Sequence, residues 1–282
     1  MTATTTSTSS TTPGAAAGPA TSAGAPGATG TTRGTRRRHP SATRRLVTSE
    51  LRLLLREPTS VLFVLVFPIV SMLIIGGAFG TEPDDVFPVN PSHWYVASYF
   101  AVVMGGTGLI MLPVRIASYR ERGVLRRFAA AGFPRWSFAL AQLTLGLVAV
   151  VVSGAALLAV ATPVYGIPAV DDPVRVVVAV AAGSVLFIAI GVLLGTLLRS
   201  ARAAQAVGML LFFPSFLLGG GGPPPAVMTP ALESVAGVLP MTLVVDQVRG
   251  PWLGLETSTT GLVVLVGLAV VAGVVALRRA RL

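Results

Sequence analysis

Six apolar stretches divide residues 59–277: Thr59–Phe79, Tyr95–Ile116, Ser137–Ala161, Val174–Leu198, Ala203–Leu218 and Thr260–Leu277. The first has 21 residues. At 1.5 Å of rise per residue it extends roughly 31 Å, the thickness of the hydrocarbon layer of a bilayer. A soluble fold has no place for six such segments. Composition agrees, with 53% hydrophobic and 11% charged residues where soluble domains carry about a quarter charged. The pattern predicts an all-α membrane protein with six transmembrane helices. Pro68, Gly76, Gly105, Gly106, Gly191 and Gly195 inside the stretches permit close helix contact or kinks.

The charges between the stretches set an orientation. Of the 21 basic residues, all arginine, 19 fall before the first stretch, in the second and fourth connections with their membrane edges (Arg115 included), or after the last stretch. Only Arg175 and Arg249 lie in the odd-numbered connections or at their membrane edges, which instead hold Glu82, Asp84, Asp85, Asp171, Asp172, Glu233, Asp246 and Glu256. Arginine accumulates on the cytoplasmic side of membrane proteins, so both ends of the chain and the even connections are expected there. The net charge of +10 is explained by this topology. The arginines are dispersed between apolar blocks rather than gathered on one polar face, which argues against nucleic acid.

Several chemistries are excluded. There is no cysteine, and His39 and His93 are the only histidines, so no thiol nucleophile, disulfide framework or histidine-rich metal site exists. The chain also lacks lysine, which a conventional phosphate-binding loop places on the β/γ-phosphates. The apolar stretches carry no ionisable side chain in their interiors except tyrosine; Arg115 and Arg175 sit near their ends. Ion-driven transporters place acids, histidines or arginines inside the spans. The chain therefore reads as a passive pore or as a subunit powered by another chain.

Along the sequence, residues 1–42 form a low-complexity Thr/Ser/Ala/Gly/Pro tail ending in Arg33, Arg36, Arg37 and Arg38, expected to be disordered. Residues 43–282 form the six-helix domain. Its first segment, Thr43–Glu57, aligns Leu46, Val47, Leu51, Leu54 and Leu55 on one stripe, the pattern of an interfacial amphipathic helix stopped by Pro58.

The second connection is Ser118–Trp136, SYRERGVLRRFAAAGFPRW. From Tyr119 to Ala131 it has no proline, and Val124, Leu125, Phe128 and Ala131 share a helical face. It predicts a short amphipathic helix outside the bilayer, closed by Gly132 and Pro134. The fifth connection, Gly219–Thr259, is apolar for a loop. Residues Pro230 to Val238 and Met241 to Arg249 each suit a short helix, with a break at Leu239-Pro240, the pattern of a re-entrant segment before the last span.

Three patches together resemble the membrane subunit of an ABC type-2 transporter, in the branch that includes daunorubicin-type drug-resistance permeases. They are LRLLLREPTSVLFVLVFPI around the start of the first span, YRERGVLRRFAAAGFPRWSFALAQL between the second and third, and LLFFPSFLLGG followed by VLPMTLVVDQVRG before the last. With span order, the likeness covers residues 43–282. The run GGGGPPP at Gly219–Pro225 departs from the family pattern in its glycine and proline content.

The resemblance implies that Arg120, Glu121, Gly123, Leu125, Arg126, Arg127 and Phe128 form the coupling element that meets a separate nucleotide-binding subunit. It places Pro240, Asp246 and Arg249 in the external re-entrant gate. It implies a second permease copy, as a homo- or heterodimer, in a bacterial cell membrane. ATP and magnesium would be bound by the partner ATPase and no cofactor or metal by this chain. The expected activity is export of an amphipathic small molecule such as a drug or antibiotic. The alternatives are an exporter of polysaccharide or lipid-linked glycan in the same superfamily, and a passive six-span channel or structural membrane protein.

Overall fold

The computed structural model describes residues 62–80, 82–130 and 135–279. The tail over residues 1–42, the amphipathic helix expected at Thr43–Glu57, the residues Thr59–Val61 and the stop at Gly132–Pro134 lie outside the described residues. So do the side chains of Arg126 and Phe128.

Among the described residues every regular element is helical. In chain order these are α1 (Leu62–Ala78), α2 (Pro91–Glu121), α3 (Val124–Ala130), α4 (Arg135–Tyr165), α5 (Pro173–Leu197), α6 (Ala201–Gly221), α7 (Pro230–Gly237), α8 (Pro240–Leu253) and α9 (Thr259–Arg279). Helices α2, α4, α5, α6 and α9 are each long and apolar enough to cross a membrane. The described part of the first stretch, α1, is shorter. Helices α7 and α8 form a pair bent by 84° at Val238–Leu239, as the Leu239-Pro240 break predicts. The protein is an all-α membrane protein.

The helix starts follow from local chemistry. Asn90 accepts from the Ser92 amide at 2.9 Å ahead of Pro91, and Asp172 accepts from the Arg175 amide at 3.0 Å ahead of Pro173. Ser200 accepts from the Ala203 amide at 3.1 Å to begin α6. In each case a side-chain oxygen serves an amide that the helix itself leaves unpaired, and in α2 and α5 proline occupies a first-turn position where its missing N–H costs nothing.

Helix α2 is the hub. Of its most apolar window 89% is buried, against 17% for α9. It packs against α1, α4, α5, α6 and α8, while α9 lies along α5. The outer helices turn Val263, Val270, Val271 and Leu277 of α9, Val177 of α5 and Leu210 of α6 outward, an apolar exterior suited to lipid. Two buried clusters fill the interior. The larger gathers Tyr95, Tyr99, Met104, Phe187, Phe212, Met241 and Trp252; the smaller gathers Met111, Leu112, Ile116, Phe138, Ile188 and Val192 toward the arginine-rich end.

Close backbone approach fixes α2 to its neighbours. Pro113 has no amide hydrogen for the carbonyl of Leu109 four residues earlier, and α2 widens into π turns over Gly106–Met111. A Cβ at Gly208 of α6 would run into that Leu109 carbonyl, and one at Gly191 of α5 into the carbonyl of Gly108. The expected result is that Gly191→Ala and Gly208→Ala each destabilise the protein by about 1–3 kcal/mol through overpacking. Gly267→Ala on α9, where nothing stands within 4 Å of the new Cβ, is neutral or stabilising by up to about 1 kcal/mol. Thermal unfolding in detergent measures all three.

Candidate functional site

The arginine-rich end is built by the end of α2. At 31 residues, α2 is about 46 Å long, more than the roughly 30 Å hydrocarbon layer. Its last turn therefore carries Tyr119, Arg120 and Glu121 clear of the apolar zone. Here one sequence expectation needs correction: Tyr119–Ala131 is not a single helix. The chain stops at Arg122, turns at Gly123 with φ +67° and restarts at Val124. The Arg122 amide bonds to the Ser118 carbonyl and the Gly123 amide to the Arg120 carbonyl, both at 3.1 Å. This is a glycine-closed helix end, and only glycine takes a left-handed backbone there at no steric cost. The α2–α3 junction is thus a tight hairpin.

The coupling residues divide within that hairpin. Arg120 Nη1 donates to the Thr196 carbonyl at 2.6 Å, and Glu121 Oε1 accepts from the Ala201 amide at 3.1 Å. Both reach back to the α5–α6 bend of their own chain. Leu125 is half-buried against the smaller apolar cluster. Arg122 and Arg127 are exposed, with Arg127 Nη2 3.3 Å from the Arg122 carbonyl. Arg115, near the end of the predicted span, is buried well inside α2, its guanidinium donating to the Tyr119 hydroxyl at 2.8 and 3.1 Å.

The opposite end carries the second candidate group. Pro240 starts α8, which rests on α2 and α5. Asp246 and Arg249, one turn apart on α8, form an ion pair at 2.7 Å. The Arg249 guanidinium carbon stands 3.6 Å from the centre of the Trp94 ring at the start of α2. The ring face supplies electron density to a cation that burial deprives of water. The structure therefore brings Pro240, Asp246 and Arg249 onto one helix and locks that helix to α2 through Trp94.

Tyr95 and Tyr99, on successive turns of α2, donate to the carbonyls of Gly222 and Gly221, both at 3.0 Å. They hold the glycine turn where Gly220 has φ +112°, the same run that departs from the family pattern. Sequence reasoning named neither the tyrosines nor Trp94. The available signal was their placement: aromatic residues with a polar edge at the end of a span, two of them spaced i, i+4.

No curated protein sequence matches the chain. The profile of the ABC-2 type transporter family matches residues 41–252, which runs from before α1 to the last turn of α8 and includes both candidate groups. The chain belongs to the ABC-2 type transporter family and is a multi-pass membrane component of such a transporter.

Proposed function

We propose that the chain is the permease of an ATP-driven exporter in a bacterial cell membrane, working as a dimer of two copies with a separate nucleotide-binding subunit on each. ATP and magnesium act on that partner. The α2–α3 hairpin docks in it, presenting Arg122 and Arg127. The carrying observation is that this exposed, cationic hairpin is the direct end of the most buried helix of the fold. A push at the hairpin is delivered to the centre of the protein. The absence of lysine supports an outside source of energy, since a phosphate-binding loop needs one.

The cargo is an amphipathic small molecule, as in the daunorubicin-type branch. Phe63, Phe67, Phe212, Phe213 and Phe216 meet edge-on between α1 and α6 with centroids 5.1 to 6.5 Å apart, an apolar and polarisable cluster without charged selectors in which Phe212 and Phe216 are buried and Phe213 is exposed. Drug export by membranes that carry both subunits tests this. Accumulation of drug unchanged by the transporter, with glycan export dependent on it, favours the polysaccharide alternative.

Orientation has its own test. The arginine-rich end faces the cytoplasm. In this cysteine-free chain, single cysteines at Asp85, Asp172 and Glu256 are expected to react with an impermeant maleimide from outside. Cysteines at Arg122, Arg202 and Arg279 react only after the membrane is permeabilised. External labelling at position 122 contradicts the orientation and the docking assignment together.

A further inference from the structure

Arg120 and Glu121 are neighbours in sequence yet address opposite ends of two different helices. Arg120 donates to the Thr196 carbonyl in the last turn of α5. Glu121 accepts from the first amide of α6. A cation thus meets a helix C-terminus and a carboxylate meets a helix N-terminus, each matching the local partial charge. For α2 itself, a carboxylate at its final residue has the wrong sign. The placement of Glu121 therefore serves α6 and not the helix that carries it. Nor does α6 lack a cap, because Ser200 already accepts from the Ala203 amide at 3.1 Å.

From this arrangement we infer that Glu121, assisted by Arg120, is the positioning residue that ties the α2–α3 hairpin to α6, so that a displacement of the hairpin moves α6. The inference rests on the export reading above. Helix α3 rests on the end of α2, so a force on the hairpin arrives at Arg120–Glu121. Helix α6 in turn seats Gly208 on the Leu109 carbonyl of α2 in mid-span, and it ends in the glycine turn held by Tyr95 and Tyr99. Motion of α6 is thereby delivered to the far end, where Met241 of α8 packs against Gly219.

The test uses the full chain with its ATPase in native membrane vesicles, with one cysteine introduced per experiment and its maleimide labelling rate followed with and without Mg-ATP and vanadate. Ala130→Cys reports on the exposed hairpin and Ala226→Cys on the exposed segment after α6. In the otherwise unsubstituted chain both rates are expected to respond to nucleotide. In Glu121→Ala the response at position 130 persists and the response at 226 is lost. Glu121→Gln keeps it, because the amide oxygen still accepts from Ala201.

Ser200→Ala also keeps the response, although it removes a hydrogen bond from the same helix start. That variant separates transmission from simple loss of helix stability. Equal loss in Ser200→Ala, an unchanged response at 226 in Glu121→Ala, or loss at both positions in Glu121→Ala each overturns the inference. No response at position 130 in the unsubstituted chain overturns the export reading first, and the inference with it.

Discussion

Asp246→Ala is expected to destabilise the protein by about 3–5 kcal/mol, whereas Arg249→Met costs about 1 kcal/mol or less. The two substitutions break the same 2.7 Å ion pair, but they leave different groups behind. The Arg249 side chain is 9% exposed and that of Asp246 is 49% exposed. Without Asp246 the guanidinium stays buried as an uncompensated charge, with the Trp94 face as its remaining attraction. A cation–π contact contributes about 0.5–2 kcal/mol, too little to replace a buried counter-charge. Without Arg249, the carboxylate turns its exposed side to water and the methionine fills the apolar space. Denaturant unfolding in detergent compares the two. Equal costs contradict the view that α8 is held to α2 by a desolvated arginine.

How much of this was legible in the sequence differs from one element to the next. The span helices were, because an apolar run of such length has one stable solution in a bilayer. The bend between α7 and α8 was also legible, since Leu239-Pro240 interrupts the helical pattern and the residue before a proline leaves the helical region. The extent of the second connection was misread. The apolar periodicity of Val124, Leu125 and Phe128 joined smoothly to Tyr119 in projection, and a single Gly123 lowers helix propensity by only about 1 kcal/mol. What decides for a turn is the left-handed φ of +67°, which depends on where α2 must stop.

The division of labour among the charged residues was not legible at all. Arg120, Glu121, Arg122 and Arg127 look alike as a polar face. Two of them bond back to their own chain because α5 and α6 present a carbonyl and an amide at the right distance, a long-range coincidence that no local pattern records. The same holds for Arg249. The family resemblance placed it in the external gate. Its burial against Trp94, 155 positions away in sequence, comes only from the packing of α8 on α2.

The second large effect concerns docking. Leu125→Asp is a poor probe of it, because Leu125 packs on the apolar cluster and a charge there damages the fold. Glu121→Arg is equally ambiguous, since it removes an acceptor from α6. Arg122 and Arg127 are exposed, so Arg122→Glu with Arg127→Glu is expected to leave folding and orientation unchanged. If the hairpin docks on an ATPase, reversing charges at the interface costs about 2–5 kcal/mol of binding. That corresponds to at least about a thirtyfold loss of affinity, and export stops with it. A loop that only sets topology contributes nothing to such binding.

The direct measurement is recovery of a P-loop ATPase with the tagged chain, from native membranes solubilised in mild detergent at matched expression. The unsubstituted chain retains the ATPase, and the Arg122→Glu, Arg127→Glu chain loses it while still labelling at Asp85→Cys from outside. Retention of the ATPase by the double variant at the level of the unsubstituted chain would contradict the assignment of the α2–α3 hairpin as the coupling element.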